Sequence, residues 1–220
     1  YVLPAQACFQ RADVVHLQVI HNGTIFSLAP LPHMSREKPI VWTLHDAWPT
    51  TGMCIHSFEC ERWLTGCRGW CPHPRGNSPL RHCTPALHWA AKQAVYARSD
   101  LTLVVASRWM QERVRRSPLL CQQPCHVIPF GIDLQVFAPG SRTERRQRLG
   151  IPAGNKVIAL RGNRVDADRY KGLHWLREAL TLYMPATPTS LVILQDATDF
   201  KALEDKYHIV GLGWVRDEKI

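Results

Sequence analysis

No apolar run in this chain approaches the roughly 20 residues that a helix needs to cross a bilayer, so a membrane-spanning role is not expected. The opening, YVLPAQACFQ, lacks the basic segment and apolar core of a secretory signal. Tyr1 is not an initiator methionine, and the chain is expected to be a cytosolic one that enters a fold rather than starts one. Internal repeats and low-complexity segments are absent too. Acidic residues are scarce relative to basic ones: 18 Asp and Glu against 27 Lys and Arg leave a net charge of +9. Such an excess raises the question of nucleic acid, whose binding calls for clustered cations and, for single strands, interleaved aromatics. The densest cluster is Arg142, Arg145, Arg146 and Arg148 beside Glu144; a smaller one is Arg113, Arg115 and Arg116. Neither is interleaved in that way. Solvated helix faces are the first reading, a peripheral contact with anionic lipid or a phosphorylated ligand the second, and nucleic acid the least favoured.

What is present is an ordinary globular composition: 220 residues, 45% hydrophobic, enough for one large or two small domains. The pattern alternates strand and helix. Asp13–Leu17 reads as a short buried strand, residues 24–35 as holding a short helix, and 40–44 as a second strand; this order is a βαβ unit and predicts a parallel sheet. Pro85 opens a helix with apolar residues at 87, 90, 91, 94 and 95. Leu101–Ala106 is a strand, Ser107 caps a helix to about Arg116, and His126–Ile128 is a strand ended by Pro129. Residues 138–155, with Pro139, Gly140, Gly150, Pro152 and Gly154 around a basic helical segment, read as an interdomain linker. A new α/β pattern follows: strands at 156–160, 190–194 and 209–212, helices at 173–183 and 200–207. The expected domains are therefore 1–137 and 156–220. Three strands make a small sheet, and the second domain is expected to be truncated.

The most informative stretch is VWTLHDAWPTTGMCIHSFECERWLTGCRGWCP, residues 41–72. An apolar strand delivers His45 and Asp46 at its C-terminal end, where open α/β sheets bind ligands. Cys54, Cys60, Cys67 and Cys71 follow, in one loop with the spacing C-x5-C-x6-C-x3-C. That is wider than common zinc knuckles, although His56 and His73 are spare ligands. A structural zinc is the first reading; reduced packing thiols and disulfides are the alternatives. Cys121 and Cys125 read as buried thiols beside a strand, and Trp63 and Trp70 as packing for the loop.

The segment from Leu44-His45-Asp46 to Cys71-Pro72, followed in order by VVASRWM, VIPFGIDLQVFAP and a basic element ending in Lys171-Gly172, resembles the retaining glycosyltransferases of family 4, in particular the branch of exopolysaccharide and colanic-acid-type assembly. The resemblance implies an α/β protein of the GT-B kind, two Rossmann-like parallel-sheet domains across a cleft. The N-terminal domain would lack its first strand and glycine-rich loop, and the C-terminal domain would be cut short. It implies a UDP- or GDP-sugar donor, a lipid-linked or oligosaccharide acceptor, a cytoplasmic protein that is peripheral at the inner membrane face, and no catalytic metal. His45 and Asp46 become catalytic candidates, with His45 positioning or polarising the reacting groups. Lys171, with Arg161 or Arg164, becomes the diphosphate-binding set, since cations aimed at a leaving diphosphate stabilise its growing charge. His45 and Lys171 are expected to face each other across the cleft. Two departures stand out: Phe130 occupies the place of the family's usual Asn after Ile-Pro, and a Glu-x7-Glu pair expected beyond Ile220 is absent, so the isolated fragment is expected to be inactive. Without the resemblance, two other readings stay open: a non-enzymatic, zinc-stabilised basic binding module, and an inactive partner subunit of a transferase.

Overall fold

The computed structural model describes residues 3–21, 27–69, 71, 84–161, 171–194 and 197–214. It divides into two compact units, Tyr1–Gly131 and Ile132–Ile220.

In the first unit, helix α1 (Ala7–Arg11) leads to strand β1 (Val15–Leu17), helix α2 (Leu31–Glu37) and strand β2 (Ile40–Leu44). The cysteine loop follows, then α3 (Pro85–Tyr96), β3 (Thr102–Val105), α4 (Arg108–Arg116) and β4 (Cys125–Val127). The strands form a parallel sheet in the order β1-β2-β3-β4. Parallel strands need crossovers, and the helices supply them. Registration is tight across the sheet: Leu17 pairs with Trp42, Trp42 with Leu103, and Leu103 with Cys125. Further along, Leu44 pairs with Val105 and Val105 with Val127. β2, β3 and β4 therefore end level with one another, β1 ends two residues short of them at the level of Trp42, and the residues just beyond the strands share one edge. Trp42, Leu44, Leu101, Leu103 and Val105 are buried with Tyr96 of α3 and with Met110 and Val114 of α4.

The sequence places these elements well, with local shifts. Helix α2 begins at Leu31 with Pro32 in its first turn, where a missing N–H costs nothing; the expected start at 24 falls partly on residues outside those described. β4 begins one residue earlier than expected, at Cys125. Helix α3 starts at Pro85 as expected, but it buries a different face. Trp89, Lys92 and Tyr96 point inward, while Leu87 is 69% exposed and Ala90, Ala91 and Ala94 face solvent. Positions 87, 90, 91, 94 and 95 do share a helical stripe. Three of them are alanines, however, whose burial gains far less than that of two large aromatic rings.

In the second unit, α5 (Arg142–Arg148), capped by the Ser141 side chain on the Glu144 amide, precedes β5 (Lys156–Arg161), α6 (Leu173–Leu182), β6 (Thr189–Leu194) and β7 (His208–Gly213). The sheet is parallel, in the order β5-β6-β7. Central β6 is buried along nearly its whole length, as an apolar strand covered on both faces should be. The expected 200–207 helix is a 3-10 stretch, Thr198–Leu203. Arg142, Arg145, Arg146 and Arg148 lie on α5, which buries none of its residues.

Candidate functional site

Each strand of the first sheet contributes a residue just beyond its C-terminal end. β1 is followed by Gln18, β2 by His45 and Asp46, β3 by Ala106 and Ser107, and β4 by Pro129 and Phe130. Gln18 and His45 meet: the imidazole Nε2 lies 2.6 Å from Gln18 Oε1. A carbonyl oxygen only accepts, so this contact places a proton on Nε2 and leaves Nδ1 as the free acceptor. Phe130 stacks on the same ring, with centroids 5.0 Å apart and planes 19° apart. The aromatic that departs from the family's usual Asn thus fixes the tilt of the candidate catalytic imidazole. Gln18 is itself anchored: its backbone oxygen accepts the Trp42 indole N–H at 3.2 Å, and its amide nitrogen reaches His16 Nε2 at 2.9 Å.

Asp46 is engaged at both oxygens. Oδ1 accepts the Trp48 backbone N–H at 2.8 Å, and Oδ2 lies 3.0 Å from His21 Nε2. Burial pulls the His21 pKa below its ordinary value despite the neighbouring carboxylate, so a neutral imidazole donates this bond. The His21 ring stacks on Trp48 at 4.8 Å. On Trp48 also sits the ammonium of Lys92, 3.3 Å from the ring centroid. Lys92 Nζ donates to the Trp48 carbonyl at 2.7 Å and to the Thr51 carbonyl at 2.9 Å. Asp46 is therefore a loop anchor within a Lys92–Trp48–His21–Asp46 stack, with His45 next to it presented outward. Burial drives the Lys92 pKa well below its ordinary value; Cys67, Asp46 and Cys54 oppose the shift.

A cavity of about 250 Å³ opens at this edge, lined by His45, Asp46, Ser57, Ser107, Arg113 and Phe130 among others. Ser107 caps α4, its hydroxyl accepting the Met110 amide at 3.2 Å, as its place before an amphipathic run predicts.

The cysteine loop does not assemble as a metal centre among the described residues. Among the described residues, no three His, Cys, Asp or Glu side chains come together to hold an ion. Cys60, Cys67 and Cys71 are free thiols, as are Cys8, Cys121 and Cys125. The Cys67 sulfur accepts the Gly52 amide at 3.3 Å, and burial raises its pKa. The expected structural zinc thus finds no matching ligand group among the described residues, and Cys67 packs against the core. Trp63 is buried as expected, its carbonyl accepting the Trp89 indole N–H at 2.9 Å. His73 and Trp70 lie outside the described residues.

In the second unit, Arg161 is the last residue of β5 and is exposed. Lys171, also exposed, directly precedes Gly172, the N-cap of α6. Gly172 has φ of +68°, a left-handed conformation that a side chain would strain. Lys171 thus sits next to a helix N-terminus that suits an anion, and Arg161 at the C-terminal end of β5. Arg164 lies outside the described residues.

Comparison with known proteins agrees with the motifs. The model of Glycosyltransferase Family 4 matches residues 3–136. The chain belongs to this family. A relative in Escherichia coli (strain K12), provisionally named the colanic acid biosynthesis glycosyl transferase WcaC, is 31% identical over 74 residues, which cover 31% of this chain and 18% of that protein. The D-inositol 3-phosphate glycosyltransferase of Mycobacteroides abscessus is 23% identical over 180 residues, 74% of this chain and 34% of its own length. That of Mycobacterium bovis (strain BCG / Pasteur 1173P2) is 26% identical over the same span, 31% of its length. The chain therefore spans about a third or less of the curated relatives it matches. Among solved structures, the sucrose-phosphate synthase of Thermosynechococcus elongatus aligns with a TM-score of 0.55 at 15% identity, over 99% of this chain and 48% of that one. The fold is thus α/β of the GT-B-like, Rossmann type. No helix among the described residues is long and apolar enough to cross a membrane.

Sequence reasoning placed His45 at its strand end and did not single out Gln18 or Lys92; Arg113, read first as part of a solvated helix face, is buried. Lys92 left a signal: it falls at i+3 from Trp89 and i−4 from Tyr96, a lysine on an aromatic stripe. Gln18 left none, because its partner is 27 residues away.

Proposed function

We propose that the protein carrying this chain is a retaining glycosyltransferase. It moves a sugar from a UDP- or GDP-activated donor to a lipid-linked or oligosaccharide acceptor in exopolysaccharide or cell-surface glycan synthesis. It works in the cytoplasm, peripherally at the inner membrane face. The observation that carries this reading is the gathering of Gln18, His45 and Phe130 at the C-terminal edge of the family-matched sheet. His45 is held with one nitrogen protonated and the other free, which suits it to position a hydroxyl and relay its proton. Lys171 and Arg161 supply the complementary chemistry, a point charge and a fork of donors for the diphosphate that leaves. The named role of the Escherichia coli relative supports the polysaccharide assignment, and the mycobacterial relatives' names support transfer to a small hydroxylated acceptor.

The test is a transfer assay on the full gene product, with labelled UDP- and GDP-hexoses and lipid-linked saccharides. His45→Ala should lower turnover by about 10²–10⁴-fold, the range for a positioned acid–base group. Lys171→Ala should weaken donor binding and also slow transfer, because the charge it meets grows in the transition state. Normal turnover after both substitutions, or a product with inverted anomeric configuration, would overturn the reading.

A further inference from the structure

Arg113 is the least explained side chain of the first unit. It is only 9% exposed, and among the described residues no carboxylate pairs with it. Its Nε donates to Thr50 Oγ1 at 2.9 Å, and its guanidinium carbon lies 4.1 Å from the centre of the Trp63 ring. Its Nη2 is buried and makes no hydrogen bond. A buried charge ordinarily has a partner of opposite sign, and an unused guanidinium donor costs the full desolvation of its N–H groups. Stacking on Trp63 explains where the group is held but not why a charge is needed there; a neutral side chain would pack as well.

The cavity supplies an explanation. Arg113 lines it, and so does Ser107 at the amino end of α4, where the helix dipole favours an anion. The one carboxylate on the wall, Asp46, has both oxygens occupied by the Trp48 amide and His21. His45 and Phe130 form another part of the wall, so a molecule bound to Arg113 lies beside the candidate catalytic imidazole. A cavity of about 250 Å³ has room for a single substituted sugar ring.

We propose that this cavity receives a carboxylate or phosphate borne by the terminal sugar of the acceptor, bound through the free edge of the Arg113 guanidinium. The name acceptor rests on the transferase reading above; the anion site itself does not. An acidic sugar ring would lie against Phe130 with a hydroxyl turned to His45, and neutral sugars would leave the Arg113 charge buried and unmatched. Discrimination of this kind is large, because a site built for a polar group penalises a ligand that lacks it.

The experiment uses the wild-type chain with three probes, glucose, glucuronate and glucose 6-phosphate, in one buffer at constant ionic strength. Binding is followed by NMR of the tryptophan indole N–H signals, with Trp63 and Trp109 as the local reporters. At least one anionic sugar should bind tenfold or more tightly than glucose and shift these two indoles. Whether glucuronate or glucose 6-phosphate does so identifies a carboxylate or a phosphate. Arg113→Met should abolish the preference and Arg113→Lys should keep part of it. Arg145→Ala with Arg146→Ala on exposed α5 should leave it intact. Equal affinity for all three sugars in the wild type would overturn the proposal even if Arg113→Met does not fold. So would a preference that survives in a folded Arg113→Met protein or is lost in the α5 variant. Transfer by the full gene product, read separately, distinguishes the two conclusions: no transfer from UDP- or GDP-sugars with the anion preference retained would count against the transferase reading and leave the site standing.

Discussion

Lys92→Met tests the stack beneath the His45–Asp46 loop. Methionine matches the length and flexibility of lysine, so the cavity term is small, and the change removes a charge and its hydrogen bonds. Lys92 is 2% exposed, and its ammonium serves two buried carbonyls, those of Trp48 and Thr51. The Trp48 carbonyl still accepts the Thr51 amide at 3.2 Å; the Thr51 carbonyl, left without a donor, costs about 1–3 kcal/mol, and the lost contact with the Trp48 ring adds about 0.5–2 kcal/mol. Opposing these losses is the relief from burying an ammonium, which amounts to several kcal/mol. At neutral pH the two nearly offset, and we expect a net destabilisation within about 2 kcal/mol. The pH dependence is more decisive. Burial holds the folded Lys92 pKa well below its ordinary 10.5. Between those two values the unfolded chain binds more protons than the folded one, so the Lys92 contribution to stability rises with pH, by at most about 1.4 kcal/mol per unit. Cys67 acts in the opposite sense, because burial raises its pKa above 9.0 and stability falls as pH climbs past that value. The difference between wild type and Lys92→Met largely cancels the Cys67 contribution. Urea unfolding of both proteins from pH 7 to 10, followed by tryptophan fluorescence, should show the gap widening with pH. A gap that stays constant or narrows across this range would refute a buried, proton-reluctant Lys92.

Two further expectations concern the neighbours. Gln18→Leu removes the acceptor for His45 Nε2 and frees the ring to rotate about its Phe130 contact; turnover of the full gene product should fall by about 10–100-fold, less than for His45→Ala, while Gln18→Glu, which still accepts, should retain most of it. Tyr96→Phe should leave stability unchanged or raise it by about 1 kcal/mol in urea unfolding, because the Tyr96 hydroxyl is fully buried without a partner and its removal ends an uncompensated desolvation; a loss above about 1 kcal/mol would show that the hydroxyl has one.

Much of the protein can be read from local sequence, and the reason is periodicity. A short apolar run such as Ile40–Leu44, closed by His45-Asp46, specifies a buried strand and its ligand-binding end with no knowledge of its neighbours. Ser107 before an amphipathic stretch specifies a helix start, because capping depends on residues three positions apart. The ordered motifs likewise led to the family. Packing was beyond reach wherever it depended on which face won. Helix α3 carries two stripes, and only contact with Trp42 and the sheet selected Trp89, Lys92 and Tyr96 over the alanines. The cysteine spacing was compatible with a metal loop, but ligand geometry is a matter of a few ångströms in three dimensions, and among the described residues the fold brings no ligand group together. The chemistry of the site followed the same division. The sequence alone placed an imidazole at a strand end. The parallel order of β1, β2, β3 and β4, which brings their C-terminal ends to one edge, decided that Gln18 would set its tautomer, Phe130 its tilt and Arg113 the charge beside it. Such choices depend on residues tens of positions apart, whose proximity exists only once the sheet has formed.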